Sequence, residues 1–198
     1  MDTKRATRIS KLLSYGLRHA PGELGFALDA AGWADVADVL SALAARQEPV
    51  TAIELADVVR SSDKKRFALS EDGSKIRASQ GHSVDVDLGL VPLEPPETLY
   101  HGTVDRFLPA IRVSGLLRKS RTHVHLSPDE ATARVVGARR QGGVVILAVR
   151  AGDMHRDGLE LYRSANGVWL TLHVPAKYLR GIEDEGSPLP PPPTPPRA

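Results

Sequence analysis

The chain contains no cysteine, so neither a disulfide framework nor a thiolate metal site can form. That suits the cytoplasm, which is the expected location. No stretch approaches the roughly 20 apolar residues that a membrane span requires, and the start, Met1-Asp2-Thr3-Lys4-Arg5, lacks the apolar core of a signal peptide. A soluble protein is expected. The common phosphate-binding signatures are missing too: there is no Gly-Lys-Ser/Thr loop and no Gly-x-Gly-x-x-Gly after a strand, which argues against a P-loop or Rossmann enzyme. Nor does a Gly-x-Ser-x-Gly elbow support a serine triad. Net charge is only +2, so an argument for nucleic-acid binding cannot rest on the global field.

Positive charge lies instead in local runs. Residues 1–92 carry 12 Lys+Arg against 13 Asp+Glu, and residues 93–198 carry 14 against 11. The basic runs are Lys64-Lys65-Arg66, Arg118-Lys119 with Arg121, and Arg139-Arg140. With 198 residues and 41% hydrophobic content, the chain can build one large domain or two small ones. The patterning favours two.

In the first half, Ile9, Leu12, Leu13 and Leu17 recur at helical spacing, and the helix closes on Arg18-His19 before Pro21-Gly22. A short strand is expected over Phe26-Ala27-Leu28, followed by a Gly32-Trp33 turn. Asp35 can cap a helix carrying Val36, Val39, Leu40 and Leu43. Thr51-Ala52-Ile53-Glu54 has the capping-box form ahead of a buried stripe of Ile53, Leu55, Val58 and Val59. Segments 66–69 and 75–78, joined through Ser70-Glu71-Asp72-Gly73, read as a hairpin. Three helices and a hairpin predict a winged helix, which alone would suit a nucleic-acid-binding regulator.

Pro92-Leu93-Glu94-Pro95-Pro96 reads as a semi-rigid linker, which separates domains 1–92 and 93–182. Beyond it, strands are expected at 98–101, 122–126, 144–149, 159–162 and 168–172. One helix is expected at 107–113, and another begins with Ser127 as cap, Pro128 in the first helical position and Glu130 completing a capping box. The fold class is therefore α+β. The Pro-rich end, 183–198, is expected to be a disordered tail without a core of its own.

Chemistry concentrates in a few places. His123 and His125 share a strand face, but with no cysteine and no third ligand nearby in sequence, no metal is expected. Arg18, His19, Arg66 and Arg121 can together neutralise a transferring phosphoryl group. A turn at His101-Gly102-Thr103 would let backbone approach a nucleotide closely.

In their order, these segments resemble the NAD-dependent RNA 2'-phosphotransferase family of the KptA type, over about residues 8–180. The resemblance rests on Leu12-Leu13-Ser14-Tyr15-Gly16-Leu17-Arg18-His19, Gly32-Trp33-Ala34-Asp35-Val36, Asp63-Lys64-Lys65-Arg66-Phe67 and Gln80-Gly81-His82-Ser83. The second half supplies Tyr100-His101-Gly102-Thr103, Gly115-Leu116, Arg121-Thr122-His123-Val124-His125-Leu126-Ser127, Asp129-Glu130-Ala131 and Asn166-Gly167-Val168-Trp169-Leu170.

What the resemblance implies is a winged-helix lobe that binds RNA, joined to a lobe of the ADP-ribosyltransferase fold that binds NAD, with one active site between them. The catalytic set falls on Arg18, His19, Arg66 and Arg121. NAD, consumed as co-substrate, falls on His101, Gly102, Thr103, Ser127 and Val168, and substrate RNA on Lys65, His82 and Ser83. The implied partner is an RNA with a 2'-phosphate, acted on by a monomer. In the implied first step that phosphate attacks the anomeric carbon of the nicotinamide ribose and nicotinamide leaves. In the second, the neighbouring ribose hydroxyl attacks phosphorus, releasing 2'-OH RNA and ADP-ribose 1'',2''-cyclic phosphate. A phosphate monoester is already largely dianionic, with a second pKa near 6, so cations to position it matter more than a general base. Many ADP-ribosyltransferases carry Glu where Val168 aligns, and a pre-ionised acceptor accounts for its absence. Two other readings are kept: an ADP-ribosyltransferase that caps terminal phosphates, and a winged-helix regulator that senses NAD.

Overall fold

The computed structural model describes residues 2–62 and 64–181. Asp63 and the Pro-rich end from 183 on lie outside the described residues. Helix α1, Thr3–Gly16, starts where Asp2 accepts a hydrogen bond from the Arg5 amide, and it buries Ile9 and Leu13. Gly16 permits the tight packing that follows: a Cβ there would sit 2.7 Å from Cζ of Phe26. Pro21 opens the one-turn helix α2, Pro21–Leu24, which Gly25 closes in the left-handed conformation.

Phe26-Ala27-Leu28 forms no strand; the chain pairs later, at β1, Trp33–Asp35. Phe26 is instead buried in the core that α1 and α2 enclose, where its side chain is held by packing alone. Helices α3, Val36–Ala45, and α4, Ala52–Arg60, follow. Asp35 precedes α3 as its cap residue without a side-chain cap bond, whereas Thr51 and Glu54 close both halves of the capping box of α4. Ile53, expected in the buried stripe, is 76% exposed. It occupies the second position of α4, on the flank opposite Leu55 and Val58, which do enter the core.

Strands β2, Phe67–Leu69, and β3, Lys75–Ala78, form the expected hairpin, and β1 joins it in an antiparallel sheet ordered β1-β3-β2. Alternation along β2 and β3 turns Phe67, Ile76 and Ala78 into the first hydrophobic cluster. Ala68 and Arg77, paired across the hairpin, therefore point the other way.

A second hydrophobic cluster forms from residues 99–179. Its backbone is β4, Thr98–Val104, paired antiparallel along its length with β7, Val144–Arg150. Helix α5, Leu108–Ser114, leads to β5, Leu116–Leu117. Strand β6, Val124–Leu126, pairs with β9, Trp169–Thr171, beside β8, Tyr162–Arg163. Helix α6, Glu130–Gly137, packs on β4 and β7. Its cap is Asp129, which accepts from the Thr132 amide at 2.7 Å, two residues after the expected Ser127. Ser127 is instead engaged as a bridge, exchanging backbone hydrogen bonds with Tyr100 at 2.7 and 2.9 Å. Helix α7, Ala151–Arg156, and the short strands β10, His173–Val174, and β11, Leu179–Arg180, complete the chain without a clear sequence signal. The architecture is mixed α and β, with antiparallel sheets. Among the described residues no helix is long and apolar enough to cross a membrane.

Candidate functional site

Leu17 is buried and caps α1, so the turn after it throws Arg18 and His19 away from the core. The half-buried Arg18 guanidinium reaches towards the Arg66 carbonyl, at 3.5 Å. Arg66 stands at the foot of β2, where its carbonyl also accepts from the Ser79 amide at 2.9 Å. Lys65 has a left-handed backbone, φ 41°, with its side chain in solvent, and its carbonyl accepts from the Ser79 hydroxyl at 2.7 Å.

Segment 80–83 is tied to both halves. The Ser83 amide donates to the Arg18 carbonyl at 2.9 Å, and Nδ1 of His19 meets the Ser83 hydroxyl at 2.9 Å. On the other side the Thr122 amide donates to the His82 carbonyl at 2.9 Å, and Gln80 Oε1 lies 2.7 Å from Nε2 of His125. Nδ1 of His125 is 3.5 Å from the Arg121 guanidinium, and its carbonyl is 3.0 Å from Nδ1 of His101. Gly81 is buried in left-handed conformation between Arg18 and His125. Residues far apart in sequence are therefore joined in one hydrogen-bonded run.

The charge balance is one-sided. Burial, then Arg121 and Arg66, pulls Arg18 down to about 10. Burial, then Arg18 and Arg121, lowers His19, which favours its neutral form near neutral pH. Desolvation, then Arg140 and Arg139, lowers Arg121. Among the described residues none of Arg18, Arg66 and Arg121 is paired with a carboxylate. An Arg18 guanidinium that feels both Arg121 and Arg66, with no carboxylate beside any of the three among the described residues, marks a site that an anion would relieve.

The remaining expected residues divide. His101, Gly102 and Thr103 lie inside β4, not in a turn, and Gly102 answers to packing: a Cβ there would clash with the Ala133 carbonyl, its carbon 2.7 Å away, and sit 2.8 Å from the Gly137 amide nitrogen. His101 and the buried Thr103 face away from α6, on the face shared with Leu99. Burial lowers the pKa of His101, its bond to His125 opposes this, and Arg140 and Arg121 add to the lowering. Val168 is half-buried just before β9, its amide held by the Ser164 hydroxyl at 3.1 Å. Ser83 stays exposed beside His19. His82, assigned to RNA on the resemblance, is 0% exposed, and neither ring nitrogen has a hydrogen-bond partner among the described residues, so its side chain reaches no solvent-borne ligand in this conformation. Its backbone carries the connection instead.

Sequence reasoning left Gln80, Arg139 and Arg140 without a role. The Arg139-Arg140 run was visible as charge, but only the exit of α6 brings it near Arg121 and His101. Among the described residues no group of three or more His, Cys, Asp or Glu side chains converges as a metal site.

The model of the family described as "RNA 2'-phosphotransferase, Tpt1 / KptA family" matches residues 4–173. A relative from Agrobacterium fabrum, named "Probable RNA 2'-phosphotransferase", is 55% identical over 92% of this chain and 97% of its own length. A Streptomyces coelicolor protein of the same name is 52% identical over 91% of this chain and 97% of its own. One from Burkholderia pseudomallei, again so named, is 52% identical over 88% and 95%. Matching over nearly the full length of both partners, and through every segment that builds the arginine cluster, the chain belongs to the RNA 2'-phosphotransferase, Tpt1/KptA family.

Proposed function

We propose that the protein removes an internal 2'-phosphate from RNA with NAD as the consumed acceptor, yielding 2'-OH RNA, nicotinamide and ADP-ribose 1'',2''-cyclic phosphate. The observation that carries this is the meeting of Arg18, Arg66 and Arg121 beside His19 with no carboxylate among the described residues to neutralise them. A dianionic phosphate fits that vacancy of negative charge, and planar guanidinium groups match its oxygens bidentately. The same cluster serves both stages, because charge remains on the phosphoryl oxygens throughout.

His19 is held neutral by its surroundings, so it accepts a proton from the attacking ribose hydroxyl and passes it to the departing RNA oxygen. Ser83 fixes its ring through Nδ1, leaving Nε2 for that transfer. For NAD, the fit is read on β4: His101 is anchored through Nδ1 to the His125 carbonyl, and Arg139 and Arg140 place positive charge on that side. When bound, NAD supplies the electrophilic ribose carbon; His101, Thr103, Ser127 and Val168 would bind and orient it. In this reading residues 1–92 act as a winged-helix lobe for RNA and 93–182 as an ADP-ribosyltransferase-like lobe, working as a cytoplasmic monomer. Incubating the protein with NAD and a 2'-phosphorylated oligoribonucleotide tests it. The expected products are 2'-OH RNA and free nicotinamide; persistent ADP-ribosylated RNA would show a transferase that stops halfway, and duplex binding without nicotinamide release would show a regulator.

A further inference from the structure

A second recess opens beside this site, on the outward face of the β2–β3 hairpin. Its volume is about 240 Å³, and its floor is Ala68, Arg77 and Ser79. The opposite wall, Arg163 and Ala165, comes from β8 and the turn after it. The hairpin register places Ala68 across from Arg77, and the Ser79 amide to Arg66 carbonyl bond continues the ladder. Arg66, Ala68, Arg77 and Ser79 therefore share one face, and the recess begins next to the arginine assigned to the phosphate. Two residues along a strand advance roughly 6.7 Å, about the reach of one nucleotide.

The walls have the chemistry of a base-stacking site. The Arg77 guanidinium lies over the Trp33 ring at 4.5 Å, and that of Arg163 over Trp169 at 5.9 Å. Each cation thus sits within reach of an indole ring, and neither has a carboxylate partner among the described residues. At the rim, Val91 and Leu93 are 71% and 46% exposed, which leaves apolar surface in water for a flat ring to cover. The volume is below the roughly 300–1,000 Å³ of sites for drug-sized ligands, which suits one ring system with its phosphate left outside. Arginine planes are among the surfaces on which single-stranded RNA bases stack.

We infer that this recess binds the base of the nucleotide adjoining the 2'-phosphorylated one, clamped between Arg77 and Arg163, so that the enzyme reads an internal position in RNA and not an isolated nucleotide. The inference rests on the function proposed above. Its test compares kcat/KM for a 2'-phosphorylated oligoribonucleotide with that for a 2'-phosphorylated mononucleotide. In Arg163→Ala the ratio of the two falls about tenfold, the scale of one stacked base, mostly through KM of the oligonucleotide. Arg163→Lys, which keeps charge but loses the plane, restores only part of it, and Ala165→Leu, which narrows the recess from a surface turn, lowers the ratio without removing a cation. An unchanged ratio in Arg163→Ala and Ala165→Leu overturns the inference. Binding of a plain oligoribonucleotide, followed by fluorescence anisotropy, separates it from the parent reading: weaker binding by Arg163→Ala supports the subsite even if wild-type protein turns over no 2'-phosphate, while equal binding and an equal ratio sink the subsite alone.

Discussion

Nδ1 of His19 lies 2.9 Å from the Ser83 hydroxyl, across 64 positions of sequence. The contact anchors a partly covered ring whose pKa is lowered first by desolvation and then by Arg18 and Arg121. An anion among those arginines offsets their repulsion of the imidazolium. In an NMR titration the His19 ring should therefore protonate below its ordinary 6.5, and added inorganic phosphate should move the midpoint upward. A midpoint that phosphate leaves in place would mean that the ring does not share the anion site.

Ser83→Ala removes the anchor but not the imidazole. Turnover should fall about fivefold, mainly in kcat, with the loss of a neutral hydrogen bond worth about 1 kcal/mol. If KM rises instead while kcat holds, Ser83 serves substrate binding and not ring orientation.

Arg66→Ala and Arg121→Ala should each lower kcat/KM by roughly two to three orders of magnitude, the loss typical of one preorganised electrostatic contact. Arg→Lys at either place keeps the charge but not the fork, so it should recover only part of the rate. Near-normal rates in both alanine variants would remove the two residues from the phosphate site.

How far the sequence carried this picture depends on the range of each signal. The capping box at Thr51 and Glu54 was readable because both partners lie within one turn, and it forms as expected. The cap of α6 was misplaced because Ser127 and Asp129 offer the same local chemistry. The bridge from Ser127 to Tyr100, which takes the first of them, spans 27 residues. Phe26-Ala27-Leu28 had strand composition, yet the tight approach of Gly16 to Phe26 decides its place. In the site, Arg18, Arg66 and Arg121 came from resemblance to a family; no spacing rule predicts that they meet. Gln80 is further out of reach, since its contact with His125 exists only once segment 80–83 joins the two halves.

His82 gives a pH dependence with a definite sign. Burial first, then Arg18, His19 and Arg77, lowers its pKa to about 4, and His125 is lowered to about 3, again by burial and then Arg121. Both are near 6.5 in the unfolded chain, so the unfolded state takes protons first. Their contribution to stability is complete above about pH 6.5 and is lost as pH falls towards those values, at up to about 1.4 kcal/mol per pH unit for each ring. Because neither nitrogen of His82 has a partner among the described residues, His82→Leu forfeits no hydrogen bond there. Thermal unfolding at pH 7 and pH 5 should show a smaller drop in Tm for His82→Leu than for wild type. Equal drops would place the acid sensitivity elsewhere.

Gly102 separates packing from ligand binding. Its backbone is extended within β4, so alanine meets no conformational penalty, but the new methyl group would run into the Ala133 carbonyl and crowd the Gly137 amide. Those are backbone atoms of α6, which cannot rotate away as a side chain can, so the helix must lift from the sheet. Overpacking of this kind costs about 1–3 kcal/mol or more, which for a chain of this size lowers Tm by roughly 2–4 °C per kcal/mol. Gly102→Ala should therefore lose stability without any ligand present, by several degrees in a thermal melt. Should Tm hold while KM for NAD rises, the glycine would be serving the nucleotide, and the helix contact would be incidental.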